Sequence, residues 1–218
     1  MSDLLACSLL AVAAFLLGSV PWGVVVSRLF FHTDVREHGS GNIGTTNALR
    51  TLGKKGGAAV FLLDFGKGLL SGFLVWAVAR LIVDAAGGFS LLSYETLRAV
   101  SFLACIWGHI FSPWLKFRGG KGIAVAVGCM FATFGPVPAL IELALFAVVV
   151  ALTRYVSAGS IAAAALCPFV SVVVFFGHPD AIALCTLAAL TVVWAHRGNI
   201  GRLRAGTEAR IGSSASRK

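Results

Sequence analysis

Long stretches without a single Asp, Glu, Lys or Arg restrict what this 218-residue chain can fold into more than any other feature. Leu4 to Val26 carries none, and Gly122 to Thr153 carries only Glu142. Charged residues make up 12% of the chain, against about 25% in a typical soluble domain. Mean hydropathy is +0.89. A soluble fold of this size has no interior large enough for such runs. In hydrocarbon every backbone N–H and C=O must be satisfied within the protein, so the apolar runs predict an all-α integral membrane protein.

A span needs about 17–25 mostly apolar residues. On that measure the chain divides into seven transmembrane helices at about 4–26, 57–83, 99–115, 122–135, 138–153, 156–176 and 181–195, with a basic cytoplasmic tail at 196–218. All belong to one domain, 1–218. The run Gly122 to Thr153 is too long for one span and is broken at Pro136-x-Pro138. With seven spans, fifteen of the eighteen Lys and Arg residues fall on one side of the bilayer, including Arg217 and Lys218 of the tail. The excess of cations marks that side as cytoplasmic and puts the N-terminus outside. The motif Leu4-Leu5-Ala6-Cys7 precedes the apolar run instead of following one, so neither lipidation nor signal-peptide cleavage is expected. The five cysteines lie in apolar runs without metal-like spacing and read as small buried hydrophobes.

Three glycine-rich basic islands interrupt the hydrocarbon: Gly39 to Arg50, Lys116 to Gly122 and His196 to Gly212. Backbone N–H groups exposed by glycines and flanked by cations suit a phosphate ester or acyl phosphate. In the first island Ser40, Asn42, Thr45 and Thr46 are competent caps, so a helix running to Leu52 is expected to begin there. Its amino terminus, preceded by Gly39, Gly41 and Gly44 and accompanied by Asn47, can receive an anion, with Arg50 one to two turns on. The second island sets Lys116 and Lys121 among Gly119, Gly120 and Gly122. It resembles a phosphate cradle but lacks the Ser or Thr of a nucleotide-binding loop. The third contributes His196, Asn199, Arg202 and Glu208, the last as a partner for a nearby arginine. Asp64 and Lys67, three residues apart, share a helix face within a span, as a functional pair or a structural ion pair. Glu142 reads as a snorkelling or helix-contact residue outside the site. No carboxylate or histidine cluster suggests a metal.

Together the islands resemble the acyl-phosphate:glycerol-3-phosphate acyltransferases, the PlsY family of bacterial phospholipid synthesis. The likeness covers nearly the whole chain through six ordered motifs: Gly18-Ser19-Val20-Pro21-Trp22-Gly23, Gly39 to Arg50, Asp64 to Gly68, Gly108-His109-Ile110-Phe111 with Lys116 to Gly122, Arg154-Tyr155-Val156-Ser157, and His196 to Gly212. Thr45, where alanine is commoner, and Gly159, where a bulkier residue is usual, are small departures. The resemblance implies transfer of a fatty acyl group from acyl phosphate to the 1-hydroxyl of sn-glycerol 3-phosphate, releasing lysophosphatidic acid and inorganic phosphate. No cofactor and no metal is implied.

Carried over by position, Ser40, Asn42, Arg50, His196 and Asn199 form the reaction centre. Gly39, Gly41, Gly44, Thr45, Asn47, Lys67, Lys116, Gly119, Gly120, Lys121, Gly122, Ser157 and Arg202 bind the substrates, and Asp64 and Glu208 give structural support. The acceptor proton goes either to His196 or to the substrate's own phosphate. The implied partners are glycerol 3-phosphate, acyl phosphate, the lipid bilayer and the soluble enzyme that makes acyl phosphate, with no nucleic acid. The implied location is the bacterial inner membrane, with the site facing the cytoplasm.

A transporter of an anionic phosphorylated solute is the main alternative from another class. It predicts functional residues on both faces or a repeat across the midplane, and this sequence concentrates them on one face. A metal-dependent phosphatidyltransferase needs several close aspartates, which are absent. The acyltransferase class with histidine five positions before aspartate finds only a near miss, His32 followed by Glu37.

Overall fold

The structure is a computed structural model that describes residues 3–86 and 91–212; Arg217 and Lys218 lie outside them. Among the described residues nine α-helices follow in order: α1 (Asp3–Ser19), α2 (Trp22–Phe31), α3 (Thr45–Ala86), α4 (Tyr94–Ile110), α5 (Ile123–Thr133), α6 (Pro136–Thr153), α7 (Val156–Val174), α8 (Pro179–Ala195) and α9 (Arg197–Arg204). No strand occurs among the described residues. By length and composition, Asp3–Phe31, Thr45–Ile82, Pro136–Thr153 and Val156–Val174 can cross a membrane. A fifth stretch qualifies if α8 and α9, bent by 52°, are taken together. At 11 residues, α5 reaches only about 17 Å.

Breaks in the helices follow local chemistry. The expected single span 4–26 is divided at Val20-Pro21, where Pro21 lacks an amide to continue α1, and helix resumes as far as Phe31. Within 122–153 the helix breaks between α5 and α6, where Gly135 takes φ 89° and Pro136 opens α6. In α3 the helix begun at Thr45 is interrupted at Gly53, whose φ of 73° favours glycine. The island helix therefore covers Thr45 to Leu52, as its caps predicted, and the long apolar part follows.

Small residues bring the helices together. A Cβ on Gly18 of α1 would stand 2.0 Å from the Cys105 carbonyl oxygen of α4, and one on Gly108 of α4 would stand 2.1 Å from that of Phe15. The α3–α5 contact is built the same way: Gly68 faces the Val125 carbonyl and Gly128 faces that of Phe65. Such close backbone approach is how helices associate in lipid, where hydrophobicity supplies no preference for protein over solvent. At Gly159, a Cβ would meet Val150 and Phe146 of α6, so glycine there admits the α6–α7 packing. Outward-facing Val12, Phe73, Leu152 and Val173 are exposed, as lipid-facing side chains must be.

The bundle has two distinct ends. At one, Arg98 of α4 donates to the Thr133 carbonyl at the close of α5, Thr96 donates to Asp180 at the start of α8, and the Phe134 and Phe175 rings meet at 5.3 Å. At the other, Ser112 Oγ donates to the Ser19 carbonyl at 2.7 Å, Trp114 Nε1 to Ser19 Oγ at 2.9 Å, and Arg154 to the Ile211 carbonyl at 2.9 Å. All three islands gather at the second end.

Candidate active site

A cavity of about 1210 Å³ opens at the island end. Its mouth is lined by Ser40, Asn42, Thr45, Arg50, Lys121, Ser157, His196, Asn199, Arg202 and Glu208. Its body is apolar and runs down between α5, α6 and α7 past Val127, Met130, Phe146, Ala164 and Cys167. The ten helical steps from Ser157 to Cys167 along α7 measure about 15 Å of depth.

The first island is held by one side chain. Asn47, buried on α3, donates from Nδ2 to the carbonyls of Val35 (2.8 Å), His38 (3.1 Å) and Asn42 (2.8 Å). Its Oδ1 accepts from the Ser40 N–H at 2.9 Å. Gly39 must be glycine, because its φ is +61° and a Cβ would lie 2.3 Å from that same Oδ1. Asn42 Oδ1 accepts from the Gly44 N–H at 2.9 Å, leaving its NH₂ group as a donor. The hydroxyl of Thr45, at the start of α3, is buried at the cavity without a hydrogen-bond partner among the described residues. Nearby cations are already committed: Arg28 and Arg36 both bond Asp34, at 2.9 and 2.6 Å. The hydrogen bond from Arg36 holds the Asp34 carboxyl well below its ordinary range.

The second and third islands are joined by a hydrogen-bonded chain. Lys121 Nζ donates to Asn199 Oδ1, and Asn199 Nδ2 donates to Glu208 Oε1 at 2.6 Å. Ser157 Oγ donates to the same oxygen at 2.8 Å, and Arg202 Nε donates to Oε2 at 2.7 Å. Burial alone would raise the Glu208 pKa; bonds from Asn199, Ser157 and Arg202 outweigh it and hold the carboxyl ionised below its usual range. Lys121 moves the other way. Burial pushes its ammonium pKa down, and the neighbouring Arg202 charge adds to the effect. A cation so placed gains when an anion binds. His196 is buried and its Nδ1 lies 2.8 Å from the Val192 carbonyl, an acceptor only, so Nδ1 carries the proton. Nε2 then keeps its lone pair.

The family model described as Glycerol-3-phosphate acyltransferase matches residues 8–206. That is most of the chain. The chain belongs to the glycerol-3-phosphate acyltransferase family. Among its relatives, the glycerol-3-phosphate acyltransferase of Rhodopseudomonas palustris (strain BisB5) is 42% identical over 202 residues, covering 92% of this chain and 94% of that one. That of Gloeobacter violaceus is 43% identical over 204 residues, with 94% of each covered. The crystal structure of PlsY (YgiH), an integral membrane glycerol 3-phosphate acyltransferase, in its glycerol 3-phosphate form is similar at TM-score 0.79 and 33% identity, covering 94% of this chain and 96% of that one. Its lysophosphatidic acid form gives TM-score 0.76 and 32% identity, covering 94% and 95%.

In this acyltransferase the five residues expected at the reaction centre, Ser40, Asn42, Arg50, His196 and Asn199, all line the one cavity. Gly39, Gly44, Thr45, Asn47, Lys121, Gly122, Ser157 and Arg202 line it too, as do Asp64 and Glu208. Five expected substrate-binding residues do not: Gly41, Lys67, Lys116, Gly119 and Gly120. Each has another explanation or location. The Gly119 and Gly120 amides donate to the carbonyls of Ile110 (2.9 Å) and His109 (3.0 Å), closing the end of α4 instead of facing an anion. Glycine is required there because a Cβ on Gly120 would strike His109 Nε2 at 2.2 Å. Lys67 is buried, 2.9 Å from Asp64 Oδ1, donating to the Val20 carbonyl at 2.8 Å and to His109 Nδ1 at 3.0 Å. It bridges the α1 break to α3 and α4. Lys116 is the left-handed residue after a short 3₁₀ turn, and Gly41 sits at a positive φ in the loop. Asn47, with both ends of its amide on the loop, holds the island together. The sequence reading missed His109, which appeared only inside a motif, and Glu142, which is 4% exposed and lines the cavity instead of snorkelling away from it.

Proposed function

We propose that this acyltransferase uses acyl phosphate as its donor and acylates the 1-hydroxyl of glycerol 3-phosphate, yielding lysophosphatidic acid and inorganic phosphate. The observation that carries this reading is one cavity with two chemically distinct parts. Its mouth gathers Arg50, Lys121 and Arg202 for phosphate oxygens, and its apolar body suits a fatty chain. The α3 amino terminus with the unpartnered Thr45 hydroxyl offers a further phosphate contact.

Lys121, steadied by Asn199, binds the glycerol 3-phosphate phosphate, and Glu208 fixes Asn199, Ser157 and Arg202 in place. The acceptor hydroxyl attacks the acyl carbonyl carbon, the carbon–oxygen bond to phosphate breaks, and phosphate leaves with that electron pair. His196 Nε2 takes the hydroxyl proton. The oxyanion is met by the Asn42 NH₂ and first-island amides, since Asn199 already uses both ends of its amide. Ser40 and Arg50 orient the acyl phosphate at the first island. A mixed anhydride with a good leaving group requires no cofactor.

The proposed topology is a single domain of seven membrane passes, N-terminus outside, C-terminus and active site cytoplasmic, in the bacterial inner membrane. The clustering of islands at one bundle end and the basic bias of that end support it. A cytoplasmic mouth also lets the soluble enzyme that makes acyl phosphate deliver its product directly. The test is the purified protein with glycerol 3-phosphate and acyl phosphate, without coenzyme A or added metal. Release of phosphate with equimolar lysophosphatidic acid is expected; no product would remove the acyl-phosphate reading.

A further inference from the structure

The apolar body of the cavity contains one group that does not belong there. Glu142, on α6, is 4% exposed, lines the cavity, and has no hydrogen-bond partner for Oε1 among the described residues. Nor does it form a salt bridge among the described residues. It lies eleven residues before the end of α6 at Thr153, a depth of about 16 Å below the island end. Ala139, Met130 and Cys167 also line the cavity. Nothing in the reaction derived above uses this carboxyl.

We propose that Glu142 is a specificity-determining residue that sets the longest acyl chain the enzyme accepts efficiently. The inference rests on the reading that the donor's fatty chain occupies this cavity. A carboxyl needs a hydrogen-bond partner in either protonation state, and the protein supplies none for Oε1. The chamber is roomy enough for water to fill that need when the chain ends short of it. A longer chain must drive water from the carboxyl and press methylenes against an unsatisfied oxygen. Each added methylene otherwise gains by burial, so the ordinary trend favours longer chains. At the depth of Glu142 the trend reverses. The chain is measured by a polar floor, without a steric wall.

The experiment measures kcat/KM for a series of saturated acyl phosphates from twelve to twenty carbons with the purified wild type, Glu142→Gln and Glu142→Leu. Leucine is close in size to glutamate but needs no partner, whereas glutamine retains the polar demand. Expected in the wild type is a peak followed by a fall at long chains. In Glu142→Leu the ratio of longest-chain to peak-chain kcat/KM should rise about five- to tenfold, while Glu142→Gln keeps the wild-type profile. Identical profiles in wild type and Glu142→Leu overturn the inference while leaving the acyl-phosphate reading intact. A Glu142→Gln profile matching that of Glu142→Leu also overturns it, since charge and not hydrogen-bond demand would then be responsible. No turnover with any chain length would instead overturn the donor assignment, and this inference with it.

Discussion

His196 and Lys121 carry the sharpest predictions because each keeps hydrogen-bonding capacity that the contacts described above do not use: the Nε2 lone pair of His196 and ammonium donors of Lys121 beyond the one given to Asn199. The Val192 carbonyl fixes the imidazole tautomer, so Nε2 is the only ring atom that can take a proton. Replacing His196 by alanine should lower kcat by about 10²–10⁴, the usual contribution of a positioned base, with the KM for glycerol 3-phosphate little changed. A loss of tenfold or less would hand the proton to the leaving phosphate's oxygen. Lys121→Ala should raise that KM by about 10- to 100-fold, the effect of losing a hydrogen bond to a charged group. Its ammonium already has a depressed pKa in the free enzyme. The sign follows directly: the protonated, phosphate-binding form is lost as pH rises through a value below the ordinary 10.5. KM should therefore climb on the alkaline side earlier than a free lysine would dictate. Lys121→Arg should abolish that limb, because guanidinium stays charged throughout. An unaltered alkaline limb in the arginine variant would exclude Lys121 as its source.

At the scale of elements, what could be read from the sequence was whatever a local rule decides. The candidate caps Ser40, Asn42, Thr45 and Thr46 pointed to a helix starting somewhere in the first island, and α3 begins at Thr45; Pro136 opens α6 after the break at Gly135. The division at Pro21 was missed because an uncharged run gives hydropathy no reason to stop. The gathering of the proposed reaction-centre residues around one cavity was legible through their motifs. Their partners were not, since partnership depends on packing. Gly119 and Gly120 looked like free amides and turned out to close α4 against His109. Lys67 looked like a ligand for an anion and turned out to be bonded on three sides. The spacing of intramembrane glycines has a mechanical consequence that can be measured. A methyl group at Gly128 would sit 2.0 Å from the Phe65 carbonyl oxygen, a backbone atom that cannot rotate away. Gly128→Ala should thus separate α3 from α5 and destabilise the protein by about 1–3 kcal/mol, read as a lower thermal midpoint in detergent. Gly66, with open space around its Cβ direction, is the control: Gly66→Ala should leave the midpoint unchanged or raise it slightly. Equal midpoints for the two variants would mean that close α3–α5 approach is not what holds this pair.

For the whole molecule, one end of the bundle gathers Arg50, Lys121 and Arg202 and the other gathers Asp3, Glu95, Arg98 and Asp180 around helix starts. An enzyme joining a water-soluble acceptor to a membrane-soluble chain needs this polarity, because its two reactants arrive from different phases. The same polarity makes its orientation testable. Lys55 and Arg204 are exposed at the island end and Phe176 at the opposite end. Four of the five native cysteines are buried, so Lys55→Cys, Arg204→Cys and Phe176→Cys act as reporters over a low background. In intact bacterial cells stripped of their outer barrier, a membrane-impermeant maleimide should label Phe176→Cys and spare the other two. In inverted membrane vesicles the pattern should reverse. Labelling of Lys55→Cys or Arg204→Cys from outside would overturn the proposed cytoplasmic placement of the site. The basic excess of the island end would then have to be explained by its ligands alone. Labelling of all three from the same side would remove the odd number of membrane crossings between Lys55 and Phe176, and with it the seven-pass arrangement.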